Sequence, residues 1–176
     1  MAKRNQFSAF FSFDGRTRRL DWWLIGIGLA VVQAALGVVL GRLLLGSWGW
    51  LQMENTQGAA WLSFALMLLF IWPQTALSMR RAHDRDKSGW LVLVSSALAL
   101  TQGIAMLAAP DFMSAPMVPP FSVWDIPRHL LTSASLVIGF WLLVTLGFLD
   151  GTPGPNRYGQ SPKGIGQKNY VSPAVD

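Results

Sequence analysis

Residues Arg80 to Trp90 read R-R-A-H-D-R-D-K-S-G-W and are flanked by two apolar runs, 59–79 and 90–109. The stretch holds four cations, two carboxylates and one of the two histidines in eleven residues. A helix needs about 20 mostly apolar residues to cross the hydrocarbon core of a bilayer. The pattern therefore predicts a membrane protein in which a short charged segment joins two membrane helices.

The composition also favours the membrane class. Of the 176 residues, 52% are hydrophobic and only 13% are charged, which is too apolar for an ordinary soluble domain. There is no cysteine, and this excludes disulfides, thiolate metal ligands and thiol nucleophiles. The net charge is +5, and the basic residues lie beside the hydrophobic segments. The expected partners are therefore the phospholipid bilayer and its anionic lipid headgroups, with no nucleic acid.

The chain divides into three predicted regions. Residues 1–21 form a basic and aromatic interfacial segment, residues 22–149 form the membrane domain, and residues 150–176 form a Gly/Pro-rich tail. Residues 110–129 contain five prolines and are expected to be irregular and to lie on the membrane surface. The predicted fold is an all-α integral membrane protein with four transmembrane helices, at 22–45, 59–79, 90–109 and 130–149.

Small residues recur along the first predicted span at spacings of four, four, three and four. Such a stripe lets another helix approach closely, and its last two members form a GxxxG pair. The pattern fits packing against another helix of this chain, and it equally fits a second copy in a homo-oligomer. The predicted helix-packing residues are Gly26, Ala30, Ala34, Gly37 and Gly41.

The distribution of basic residues predicts the orientation. With four spans, both termini and the Arg80–Gly89 segment lie on one side, which carries twelve Lys and Arg residues. The opposite side has Arg128 and, at a helix edge, Arg42. Because cytoplasmic segments near membrane helices are enriched in Lys and Arg, we expect the N and C termini and the charged segment to be cytoplasmic.

Three motifs on this side resemble a known protein family. They are F-D-G-R-T-R-R-L-D-W-W from Phe13, R-R-A-H-D-R-D-K-S-G-W from Arg80 and G-T-P-G-P-N-R-Y-G from Gly151. Their order and spacing resemble the bacterial inner-membrane family called domain of unknown function 805, over about residues 7–162. The resemblance implies a small multi-helix protein of the bacterial inner (plasma) membrane whose activity is uncharacterised.

Oppositely charged side chains of the three motifs are expected to meet. One hypothesis is an ion-pair network that holds the cytoplasmic helix ends together, with Asp14, Asp21, Asp86 and Asp150 as structural members. The predicted pairs join Arg16, Arg18 and Arg19 to Asp84, Asp86 and Asp150, and join Asp14 and Asp21 to Arg80 or Arg81.

The second hypothesis is a binding face for anionic lipid, another phosphorylated ligand or a membrane-protein partner. It follows from the arginines, because guanidinium groups can bind phosphate oxygens bidentately. The candidate residues are Arg16, Arg18, Arg19, Arg80, Arg81, His83, Asp84, Arg85, Lys87 and Arg157.

The sequence predicts no catalytic, metal or cofactor site. His83 and Asp84 have no second histidine or ligand motif nearby, and residues 151–154 lack the strand, lysine and helix of a phosphate-binding loop. The predicted spans contain no Asp, Glu, His or Lys, which disfavours a proton-coupled carrier. We therefore expect a non-enzymatic accessory, scaffold or lipid-responsive module. The alternative is a small transporter for lipid or a hydrophobic solute.

Overall fold

The computed structural model describes residues 11–46, 57–109 and 125–165, and within these ranges the regular structure is helical, with no β-strand. Four helices follow in order, each long and apolar enough to cross a membrane when the last is counted with its π-helical extension. The helical, four-span part of the predicted fold is thus confirmed. The elements are α1 (Arg19–Leu45), α2 (Gln57–Asp84), α3 (Trp90–Ala108), α4 (Ile126–Leu142) and the π-helix Leu143–Phe148.

The helices extend beyond the predicted spans at four ends. Helix α1 begins at Arg19, α2 runs from Gln57 to Asp84, and α4 begins at Ile126. Residues 80–84 are therefore helical and not part of a loop, and the irregular segment predicted up to residue 129 is wrong for its last four residues. Hydropathy marks where apolar residues stop, whereas a helix continues while its backbone hydrogen bonds can form. Residues 110–124, the start of the N-terminal segment and the end of the tail lie outside the described residues.

The chain forms two compact units. Among the described residues, unit 1 contains 11–27, 72–93 and 141–165, and unit 2 contains 28–46, 57–71, 94–109 and 125–140. All three charged motifs fall in unit 1, so the candidate site is built from this unit alone. Its apolar core consists of Ala82, Val92 and Leu146, with Trp22 and Leu142 packed against them.

Two tryptophans of the first motif attach the start of α1 to the rest of unit 1. The indole of Trp23 donates to the carbonyl of Gly147 at 3.0 Å, and that of Trp22 donates to Ser78 Oγ at 3.3 Å. Buried indole N–H groups need such partners. A Cβ on Gly147 would lie 2.9 Å from the Trp23 ring, so only glycine lets the π-helix come this close.

The small-residue stripe of α1 packs partly inside the chain. In unit 2, Gly37 and Gly41 are buried by residues of the same chain, and Gly37 lies at a cavity of about 270 Å³. In unit 1, a Cβ on Gly26 would be 3.9 Å from Leu77. These contacts fit the intramolecular interpretation of the stripe, and a homo-oligomer stays a prediction. The cavity is lined by Ala30, Gln33, Ala34, Gly37, Ser63 and Leu66.

Candidate functional site

The charged motifs meet at Asp84, the last residue of α2. Asp84 is buried, with 3% of its surface exposed, and it lies between two arginines. Arg16 Nε donates to Asp84 Oδ1 at 3.0 Å, and Arg81 Nη1 forms an ion pair with Asp84 Oδ2. Both arginine side chains are only 1% exposed. We call Arg16, Arg81 and Asp84 the Asp84 cluster.

Arg81 also connects α2 to the π-helix. Its Nε donates to the carbonyl of Leu146 at 2.8 Å, and its Nη2 donates to that of Leu149 at 2.6 Å. Carbonyls at a helix end lack intrahelical donors, and the negative end of the helix dipole favours a cation. Arg81 therefore satisfies backbone acceptors of the protein and is not available to an external ligand.

Residues of the third motif complete the surroundings of Asp84. Thr152 donates to the carbonyl of Asp84 from its N at 2.8 Å and from its Oγ1 at 3.0 Å. Arg16 donates to the carbonyl of Thr152 at 2.7 Å, and Asn156 Nδ2 donates to that of His83 at 2.8 Å. These bonds occupy carbonyls at the C-terminal end of α2. The third motif is thus a cap on this helix.

The backbone passes very close to Asp84 at Gly151. A Cβ there would lie 1.9 Å from Asp84 Oδ2 and 2.5 Å from its carboxyl carbon. The first motif is tied to α2 as well, because Thr17 N donates to the carbonyl of Arg80 at 3.2 Å. The first and third motifs are therefore joined to the end of α2, which belongs to the second motif, through backbone as well as side-chain contacts.

The other ion pairs of unit 1 lie at its surface. Their side chains are 38–70% exposed, so each pair contributes about 0–1 kcal/mol to stability. These pairs are much weaker constraints on the fold than the Asp84 cluster. They are Arg18–Asp21 at 3.1 Å, Arg19–Asp150 at 3.5 Å and Arg157–Asp86 at 3.2 Å.

The predicted pairings are partly wrong. Asp21 pairs with Arg18, three positions earlier, and Asp14 accepts a hydrogen bond from Ser12 Oγ at 3.2 Å. These two exposed carboxylates bind residues that are close to them in sequence. A contact between near neighbours costs less conformational entropy than a contact that also fixes a distant segment. Within the described residues, the predicted pairs Arg16–Asp84 and Arg19–Asp150 occur, whereas Asp14 and Asp21 make no ion pair with Arg80 or Arg81.

His83 packs against an aromatic ring. Its imidazole stacks on Tyr158 with centroids 3.8 Å apart and planes 5° apart, and the Arg157 guanidinium lies 4.9 Å from the centroid of the same tyrosine. In the part of the chain that the structure describes, no group of three or more His, Cys, Asp or Glu is placed to hold a metal. The observed role of His83 is therefore packing between α2 and the third motif.

Helix α2 ends in a Schellman-type turn that divides the charged segment. Lys87 N donates to the carbonyl of Ala82, and Asp86 N donates to that of His83, both at 3.0 Å. Asp86 has a φ of 56°, in the left-handed region where this motif usually has glycine. Before the turn, Arg81 and Asp84 belong to the Asp84 cluster and His83 stacks on the third motif. Arg80 Nε donates to the carbonyl of Ala76 at 3.3 Å, within α2. Arg85 and Lys87 belong to a different site.

Arg85 and Lys87 line an apolar groove of about 520 Å³ in unit 1. Across residues 11–46, 57–109 and 125–165, neither side chain forms an ion pair, and Arg85 Nε is buried without a hydrogen-bond partner. The rest of the lining comes from Ala82 of α2, from Ser88 and Gly89, from the start of α3, and from the end of α4 with the π-helix and Leu149. We call this cavity the α3–α4 groove.

Several residues of this region were not identified from the sequence. Thr152 and Asn156 cap α2, Tyr158 stacks on His83, and Trp23 holds the π-helix. Each lies in one of the three motifs, so membership of a motif was a signal that the residue matters. The role of each could not be inferred, because turn residues and tryptophans suit many positions and the atoms they contact are backbone carbonyls or another ring.

Comparisons with known proteins agree with the motifs. Residues 10–160 match the family described as Protein of unknown function (DUF805). The chain is 31% identical over 160 residues to the uncharacterized protein YiiR of Escherichia coli K12, covering 90% of each chain. It is 28% identical over 155 residues to the inner membrane protein YhaI of the same strain, covering 88% of each chain. No solved structure matches. All three motifs lie inside the matched region, and this four-span chain belongs to the DUF805 family, which has relatives in the inner membrane.

Proposed function

We propose that this protein is a non-enzymatic accessory or scaffold module of the inner membrane whose basic face binds anionic lipid headgroups. The observation that carries this proposal is the charge imbalance of unit 1, whose described residues contain nine Lys and Arg against five Asp. In a bilayer the nearest anions are lipid phosphates. Each Lys or Arg close to an anionic surface contributes about 1 kcal/mol to its attraction.

The distribution of the carboxylates supports the proposal. Asp84 is buried and pairs with Arg16 and Arg81. Three exposed carboxylates each pair with one exposed arginine. Arg80, Arg85, Lys87 and Lys163 are left without a carboxylate partner among the described residues, and Arg80 Nε donates instead to the carbonyl of Ala76 at 3.3 Å. Arg85, Lys87 and Lys163, unlike Arg16 and Arg81, are not neutralised by the protein and are the ones most attracted to lipid phosphate.

The proposal includes a cytoplasmic position for unit 1, which follows from the excess of basic residues there. A chain without cysteine allows single-cysteine labelling without background. We expect an impermeant maleimide added to intact spheroplasts to label Gln57→Cys, at the start of α2, and not Lys163→Cys, in the exposed tail. Labelling of Lys163→Cys alone would reverse the proposed orientation.

Lipid binding is tested by native mass spectrometry of the protein released from nanodiscs that contain equal phosphatidylglycerol and phosphatidylcholine. We expect preferential retention of phosphatidylglycerol that weakens as salt is raised, because salt screens exposed charges. Arg42→Gln is the control, since it removes a cation of unit 2 that donates to the carbonyl of Gly46, and it should leave the preference unchanged. Equal retention of the two lipids by the wild type would refute the lipid-binding proposal.

A further inference from the structure

We infer that the α3–α4 groove binds one anionic phospholipid, with the lipid phosphate at Arg85 and Lys87 and an acyl chain along the apolar wall. The inference rests on the proposed function, because it names the place in unit 1 where a lipid is held. It assigns a role to the half of the charged segment that the Asp84 cluster does not use.

The polar end of the groove offers donors that the protein leaves unused. Arg85, Lys87 and Ser88 all line it, and among the described residues none of their side chains makes an ion pair or a hydrogen bond. Arg85 Nε is buried, and a buried donor without an acceptor is unfavourable. A phosphate oxygen would accept from the guanidinium and from the ammonium of Lys87, and bonds between charged groups of this kind are strong.

The remaining wall is apolar and carries two aromatic anchors. Trp90 and Trp141 line the groove and are 63% and 60% exposed, as is usual for tryptophans at the level of lipid headgroups. Leu142 and Leu149 continue the wall. The volume of about 520 Å³ lies within the range of about 300–1,000 Å³ for ligand pockets. Free phosphate would leave this wall uncovered, whereas a phospholipid would occupy both parts of the groove.

Arg81 of the Asp84 cluster holds part of this wall in place through hydrogen bonds to its backbone. Arg81 donates to the carbonyls of Leu146 and Leu149, and these two residues also line the groove. The wall includes π-helical residues, and π-helical turns are frequent at functional sites. The arginines of the charged segment therefore have different tasks. Arg81 positions the wall, and Arg85 binds the phosphate.

The inference is tested with the full chain in nanodiscs of equal phosphatidylglycerol and phosphatidylcholine. We expect the wild type to retain one tightly bound phosphatidylglycerol in native mass spectrometry. Loss of two cations in Arg85→Gln/Lys87→Gln should weaken that binding about 30-fold. Arg18→Gln/Arg19→Gln removes the same charge from unit 1 outside the groove, at two arginines that already pair with Asp21 and Asp150, and should keep the bound lipid.

The possible outcomes separate the groove from the general face. Equal loss of lipid in both double variants would overturn the groove and leave the proposed function standing. Equal binding of both lipids by the wild type would overturn both. If the groove variant does not fold, a photoactivatable phosphatidylglycerol decides the question on the wild type. Cross-links are expected in residues 85–92 and 141–149, and cross-links found only elsewhere would overturn the inference.

Discussion

Replacing Asp84 with asparagine tests the role of the Asp84 cluster. The change keeps the size of the side chain and removes the one negative charge between Arg16 and Arg81, whose side chains are each 1% exposed. Breaking a buried ion pair on one side costs about 3–5 kcal/mol, because a buried charge is left uncompensated. Here two cations would face each other, so we expect the free energy of unfolding to fall by at least this amount.

The matched control is Asp21→Asn. This carboxylate pairs with Arg18 at a similar distance, 3.1 Å, but the two side chains are 38% and 52% exposed. An exposed pair contributes about 0–1 kcal/mol. The two variants remove the same group from the same unit and differ in burial, so their comparison isolates the effect of the buried site.

The assay is thermal unfolding in detergent, followed by the fluorescence of the nine tryptophans. At about 2–4 °C per kcal/mol for a protein of this size, Asp84→Asn should lower the midpoint by roughly 6–20 °C. Asp21→Asn should lower it by less than about 4 °C. Adding Arg16→Gln to Asp84→Asn should restore part of the loss, because one unpaired cation is removed. Equal midpoints for Asp84→Asn and Asp21→Asn would refute a structural role for the cluster.

Substitutions at three further positions, Gly151, Asp86 and Gly41, test the backbone and packing features. Gly151→Ala should lower stability by about 1–3 kcal/mol, because its Cβ would lie 1.9 Å from Asp84 Oδ2, whereas Gly154→Ala meets nothing within 4 Å and should be close to neutral in the same unfolding assay. Asp86→Gly should retain or slightly raise the unfolding midpoint and Asp86→Val should lower it, because the left-handed φ of 56° suits glycine and not a β-branched residue. Equal midpoints for the two variants would contradict the left-handed conformation at this turn. Gly41→Leu should lower the midpoint by overpacking a buried position without changing the native mass, and a smaller mass would instead identify the stripe as a subunit interface.

The sequence predicted the membrane helices well and the charged site only in part. Arg16–Asp84 was predicted because opposite charges in two motifs were expected on one side of the membrane. The separate fates of Arg81 and Arg85 were not predicted, although the residues are four positions apart and carry the same charge. Arg81 lies within α2 and reaches the carbonyls of the π-helix, and Arg85 follows the helix and lines the groove. The Schellman-type turn that separates them has aspartate where glycine would have been a recognisable signal.

By itself, the sequence determined that this chain is a helical membrane protein with four spans and three charged motifs. Such properties are local, since the length of an apolar run is compared with the thickness of a bilayer and each motif is contiguous. Only the tertiary structure decided which charges are buried and which stay unpaired. Arg16 and Asp84 are 68 positions apart, and Arg16 and Thr152 are 136 positions apart. Their contact depends on which helix ends pack together, and no segment contains that information alone.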